Sequence, residues 1–130
     1  MLELQPAWGT LVDDFYYSGL PCVMIKQRLG YFCGYVGVPS GHPLAGKDPK
    51  DPELAALDVH GGVSCAGPEL CGHAEDAADW WIGFNCCHDG DLVPSMPCQQ
   101  EHASYRDESF VIDELRRLAS QLARIGQEHA

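Results

Sequence analysis

One stretch of this chain repeats clearly with the period of an α-helix. Phe110, Val111, Leu115, Leu118, Leu122 and Ile125 recur at helical intervals, with Ala119 and Ala123 beside them. That spacing lines apolar side chains along one face and leaves the rest of the surface polar. Ser104 and Asp107 can cap the start. Asp107, Glu108, Asp113 and Glu114 come early, and Arg116, Arg117 and Arg124 come late, an order that suits the helix dipole. Asp113 and Arg117, four apart, can pair weakly. Gly126 is placed to end the helix. A helix over 108–125 with a single apolar face must lay it on something. The remainder of the chain cannot supply a bundle, because 14 Gly and 9 Pro break it into short pieces. A sheet is the partner that fits.

Strand signals are present where that argument needs them. Residues 22–28 and 31–38 read as two strands joined at Leu29-Gly30, with β-branched and aromatic residues dominating the second. Gly34 and Gly37 inside it suggest a bulge or a close backbone approach. Leu57 to Cys65 reads as a hairpin around Gly61-Gly62, because both central positions of the favoured turn need positive φ. Residues 79–87 read as a further strand. Trp80, Ile82, Phe84 and Cys86 face the core there, and Trp81, Gly83, Asn85 and Cys87 face the other way. The run Pro39–Glu53 is a loop, as are 66–78 and 92–103. Within residues 1–20 the loose spacing of Leu11, Phe15 and Tyr16 suggests a short helix or turn packed on the sheet. The expected fold is a single α+β domain over 1–130. It has a small, mostly antiparallel sheet from 22–38, 57–65 and 79–87 packed against the C-terminal amphipathic helix.

Charge restricts the partners. The chain carries −11 at neutral pH, and only Lys26, Arg28, Lys47 and Lys50 precede the C-terminal segment as bases. Direct nucleic-acid binding, which draws its affinity from cations on phosphates, is not expected. Docking onto a basic surface is compatible with this balance. No apolar run approaches the roughly 20 residues of a membrane span. The acidic start over Met1–Asp14 lacks the basic, apolar pattern of a secretory signal. Seven Cys, an odd number and without a Cys-x-x-Cys pair, imply free thiols in a reducing compartment.

Two constellations carry chemistry. His60 beside its glycine turn, with His88, Asp89 and Asp91 at a strand end, offers two imidazoles and a carboxylate. That set suffices for zinc with an open position, and metal-bound water could then attack an ester or phosphate. The ligands would be His60, His88 and Asp91, with Asp89 in support. Thiolate nucleophiles at Cys86 or Cys87 are a weaker alternative, and Ser64 has no nucleophile elbow. The second constellation is a notch. Gly83 between Trp81 and Asn85 leaves an aromatic wall beside an amide, a shape suited to a small ligand such as a nucleotide. The candidate ligand-binding set is therefore His60, Gly61, Gly62, Trp81, Asn85, His88 and Asp91.

Three pieces of the sequence go further: Gly34-Tyr-Val-Gly-Val-Pro-Ser-Gly-His-Pro43, Leu57-Asp-Val-His-Gly-Gly-Val-Ser64, and Trp80-Trp-Ile-Gly-Phe-Asn-Cys-Cys-His-Asp-Gly-Asp91. With the tail Tyr105-Arg-Asp-Glu-Ser-Phe-Val, this pattern resembles a family of small uncharacterised proteins frequent in tailed phages, prophages and plasmids. The resemblance runs roughly from residue 30 to residue 123. It implies an intracellular product of a mobile element, acting in the host cytoplasm. The family carries Asp where this chain has Asn85 and Thr where it has Ser64. If that Asp holds a metal, its replacement by an amide weakens the site. The expected function is an accessory protein that binds and inhibits a host defence factor without turnover, the target being a basic protein effector or a nucleotide signal. The alternative is a metal-dependent hydrolase at His60, His88 and Asp91. A structural adaptor working through the helix or the 39–53 loop is a third reading.

Overall fold

A computed structural model describes residues 10–27, 30–68, 78–86 and 105–128. Among the described residues there are five strands and two helices: β1 Thr10–Tyr17, β2 Leu20–Lys26, β3 Phe32–Val38, α1 Pro52–Ala55, β4 Cys65–Gly67, β5 Trp80–Asn85 and α2 Glu108–Glu128. The strands make one antiparallel sheet in the order β1-β2-β3-β5-β4. Helix α2 packs on β2 and β3, as its apolar stripe requires. Val111, Leu115, Leu118, Ala119 and Leu122 are buried there against Met24, Val36 and Phe84. The expected α+β fold is the fold observed.

The centre of the sheet is assembled by pairing glycines with aromatic rings. Across the β3–β5 register Gly34 faces Phe84, Tyr35 faces Gly83, and Gly37 faces Trp81. Each ring lies over the glycine opposite it. A Cβ on Gly34 would stand 2.6 Å from Phe84 Cε1 and 2.9 Å from Leu115 Cδ2. One on Gly83 would collide with the Tyr35 ring and stand 2.8 Å from the Gly34 carbonyl oxygen. One on Gly37 would collide with Ala78 and stand 3.0 Å from Trp81 Cζ3. These glycines mark close approach, with ordinary register throughout this pair of strands. Phe84 points toward α2, whereas Tyr35 and Trp81 join Val23, Ile25 and Cys33 in a second buried cluster on the opposite face.

Four expectations need correction. First, the described part of the N-terminal segment is a strand. Ser18 and Gly19 both adopt positive φ, 54° and 81°, and make the two-residue turn that matches strand twist. Between Leu11 and Asp13 the register slips by one residue, leaving Val12 as a bulge. That extra residue breaks the alternation by which a strand is recognised. Second, residues 57–60 form no strand. Their amides go to α2 instead: Asp58 N–H donates to Gln121 Oε1 at 2.8 Å and His60 N–H to Glu114 Oε1 at 2.7 Å. A turn forms here one residue earlier than expected, closed from Gly62 N–H to the Val59 carbonyl with His60 and Gly61 at its centre; Gly61 and Gly62 have φ of 68° and 80°, and the strand beyond is only Cys65–Gly67. Third, α2 continues past Gly126 to Glu128. The ring of His42 occupies the space beside Gly126, 3.1 Å from where a Cβ would stand. Fourth, Arg117 pairs with Asp58 and Glu114, and Asp113 pairs with Arg116.

Other details follow the sequence. Asp107 Oδ1 accepts from Phe110 N–H at 3.0 Å and caps α2; the alternative cap, Ser104, lies outside the described residues. The 39–53 segment is a series of turns leading into α1, which Asp51 caps and Pro52 opens. Leu44 and Leu54 bury that segment against the core. Cys22 and Cys65 are free thiols. Among the described residues no helix is long and apolar enough to cross a membrane.

Candidate functional site

His60 enters the structure through its backbone. Glu114, on the buried face of α2, accepts its N–H, and the imidazole meets the Phe110 ring edge-on at 5.0 Å. Glu114 Oε1 also lies 3.5 Å from Arg117 Nη2, which bonds Asp58 Oδ1 at 3.1 Å. A mostly buried carboxylate thereby ties the 58–60 turn to the helix. This anchor holds His60 on the α2 side of the sheet.

Trp81 is on the other side. Only 2% of its surface is exposed, and it packs with Tyr35, Val23, Ile25 and Cys33. The sheet therefore stands between His60 and Trp81, and they do not rim a common pocket. The notch expected at Gly83 is filled by the Tyr35 ring from the neighbouring strand. Asn85 Nδ2 reaches Ser64 Oγ at 3.3 Å, a contact between β5 and the end of the glycine turn. Gly61 and Gly62 shape that turn, and Gly62 N–H closes it on the Val59 carbonyl at 2.8 Å. His88, Asp89 and Asp91 lie outside the described residues. Among the described residues no group of three His, Cys, Asp or Glu converges as a metal would require. His60 is thus the one member of the proposed zinc set that the structure places.

Two groups that sequence reasoning passed over are structurally committed. His42 is buried and bridges the 39–46 turns to α2. Its Nδ1 accepts from Leu44 N–H at 3.0 Å, so Nε2 carries the proton and donates to the Leu122 carbonyl at 2.7 Å. Nothing in its Pro- and Gly-rich surroundings signals that role. Glu114 was legible in principle, since it falls beside Val111, Leu115 and Leu118 on the apolar stripe. A carboxylate in such a position needs partners to be buried.

The electrostatics of the buried thiol and the phenol follow from surroundings. Burial pushes the Cys22 thiol up to about 12. Tyr105 donates to the Gly30 carbonyl at 3.2 Å, and burial followed by the charges of Glu108 and Asp107 moves its phenol upward. Neither group is primed as a nucleophile or a base near neutral pH.

Two of the surface recesses among the described residues bear on function. One, of about 470 Å³, runs along α2 between Tyr17 and Asp58 and is lined by Arg116, Arg117 and Arg124. Asp58, Glu114 and Asp113 already pair two of those guanidiniums. The other, of about 270 Å³, sits beside β1, with Leu11, Asp14, Tyr16, Pro21, Val23 and Trp81 among its lining residues. Strand β1 is exposed along nearly its whole length. It holds Leu11, Val12, Tyr16 and Tyr17, four of the five large apolar or aromatic residues exposed among those described; the fifth is Tyr105. Asp13 and Asp14 are exposed among them.

Comparison with protein-family models, with curated proteins and with solved structures finds no match to this chain.

Proposed function

We propose that this chain is an accessory protein of a phage or other mobile element that works in the host cytoplasm. It binds and inhibits a host defence protein through that protein's basic surface, without turnover. The observation that carries this reading is the composition of β1. Apolar and aromatic side chains that a monomer ordinarily buries are exposed on one strand at the sheet edge, interleaved with carboxylates, in a chain of net charge −11. Concentrated apolar exposure rimmed by polar groups is the signature of an interaction surface. Acidic residues around it steer a basic partner and raise its association rate. The resemblance to mobile-element proteins supplies the setting. The nucleotide target is the weaker reading, because the notch on which it was argued is filled by Tyr35.

The test is stoichiometric inhibition. A purified host effector captured by this protein should lose activity in proportion to the amount of protein added, and recover when the complex is dissociated with salt. Both proteins should emerge with unchanged mass. Native mass spectrometry of the same preparation reads the competing hydrolase. Bound zinc together with catalytic loss of an ester or phosphate substrate, both abolished by His60→Ala and His88→Ala, would replace the inhibitor reading.

A further inference from the structure

We infer that β1 binds its partner by strand addition, taking an extended basic segment along its open edge and seating a Lys or Arg side chain in the recess beside Asp14. This deepens the binding reading above and rests on it. Within the described sheet β1 pairs only with β2. The hairpin sets which of its backbone groups face outward. Tyr17 and Leu20 flank the two-residue turn and exchange hydrogen bonds, so Asp14 and Tyr16, opposite Val23 and Pro21, direct theirs away from β2. Pro21 fits this pattern, having no N–H to offer.

The edge is guarded by charge. Asp14 N–H, one of the outward donors, is held by the Asp13 carboxylate at 2.8 Å. A strand that pairs here supplies its own carbonyl and releases that carboxylate. A neutral strand would leave Asp13 desolvated without a partner, which is unfavourable. A basic strand provides the counter-charge. The adjoining recess repeats the selection, since its Leu11, Tyr16, Pro21 and Trp81 walls suit the alkyl stem of Lys or Arg and Asp14 suits the charged head. A second copy of this chain is the wrong occupant. Antiparallel self-pairing centred on Asp14, one of the outward residues, would set that carboxylate against its own copy with Asp13 close by on each strand.

The probe is a capped, fluorescently labelled peptide of alternating Lys and Val, followed by anisotropy and by amide exchange of the full chain. It should bind with an affinity that falls as salt rises, and protect the Asp14 and Tyr16 amides. Its Glu/Val counterpart should not bind. N-methylation of the peptide amides along one edge should abolish binding, because strand pairing needs those donors. Asp13→Asn with Asp14→Asn should weaken it by about tenfold or more, as should Tyr16→Arg, both at exposed positions. Three results would overturn the inference. They are equal binding of the N-methylated peptide, protection mapping away from β1, and a β1-dependent dimer in sedimentation that excludes the peptide. Failure of the two readings is separable. Peptide pairing without inhibition of any host protein keeps strand addition and removes the inhibitor function. Inhibition that survives both β1 variants keeps the function and removes strand addition.

Discussion

The centre of the sheet and its β1 edge use the same kinds of residue for opposite ends. In β3 and β5, Tyr35, Trp81 and Phe84 each lie over a glycine on the facing strand and are almost wholly buried. In β1, Tyr16 and Tyr17 have no such covering, and Tyr16 leaves 67% of its surface exposed. What differs is the neighbour. A glycine opposite an aromatic residue opens a lane in which the ring lies flat, whereas the register sets Pro21 across from Tyr16 and Leu20 across from Tyr17, where no such lane exists. An aromatic residue in this chain is thus packing or presentation according to what the register sets across from it.

The largest effect should come from emptying the centre. Phe84→Ala removes a ring that is 1% exposed and fills the space over Gly34. It should cost about 3–5 kcal/mol in urea unfolding, enough to unfold a protein of marginal stability. Tyr16→Ala at the edge should shift the same transition by no more than about 0.5 kcal/mol. Comparable losses at both positions would show that β1 is packed after all.

Filling the glycine lanes should cost somewhat less, about 1–3 kcal/mol each, and the two lanes should respond differently to relief. At Gly34 the three atoms nearest an added methyl are all side chain, from Phe84 and Leu115. Combining Gly34→Ala with Phe84→Leu should therefore recover part of the sum of the single losses, a coupling read from a double-mutant cycle. At Gly83 the methyl also meets the Gly34 carbonyl oxygen, which belongs to the backbone. Gly83→Ala with Tyr35→Leu should recover little. Equal rescue at both sites would mean that the rings, and not the strand spacing, set the fit.

Legibility in the sequence follows the range of the interaction. The α2 stripe is local, so the helix, its Asp107 cap and the existence of an opposing sheet could all be read. The 58–60 segment has strand-like composition, but its amides are claimed by Glu114 and Gln121, separated from them by 54 and 63 positions. No window of sequence contains that competition. At Gly83 the sequence shows the missing side chain and not what takes its space, because the ring that fills it comes from Tyr35 through cross-strand register. For the candidate zinc set, His60 is placed against Phe110 and Glu114. Its spacing to Trp81 in the chain says nothing of the sheet between them.

Glu114→Ala tests the anchor that made the 58–60 segment a turn. It leaves the His60 N–H without its acceptor and Arg117 without one of its two carboxylates. A loss of about 1–3 kcal/mol is expected, with faster amide exchange at His60. Glu114→Gln keeps an oxygen acceptor and should restore the exchange protection while losing the ionic contribution to Arg117. If both variants behave alike, charge and not the hydrogen bond holds the turn.

Alkaline titration probes the centre without changing its shape. Burial raises the Cys22 thiol from 9.0 to about 12 in the folded chain, so the folded state keeps a proton that the unfolded state gives up sooner. The contribution is fully present below pH 9 and is lost as pH climbs toward 12. Nothing changes at neutral pH. Unfolding measured across this window should show stability falling with pH more steeply in the native chain than in Cys22→Ala, after each is referred to its own value at pH 7. Parallel profiles would place the thiol in contact with water.

The smallest effect belongs to the edge carboxylates, and its sign carries the information. Asp13→Asn keeps an oxygen that can accept the Asp14 N–H, so the local bond survives while a charge is removed. Asp14→Asn removes its neighbour. In a chain of net charge −11 both changes relieve repulsion. The double variant should be equal to the native chain or more stable, by no more than about 0.5 kcal/mol at low salt, and the difference should vanish as salt screens the surface. A carboxylate pair that adds nothing to stability yet decides which strand can approach is positioned for recognition. A loss of stability would instead make Asp13 and Asp14 part of the structural frame, and β1 would then belong with the centre of the sheet and not apart from it.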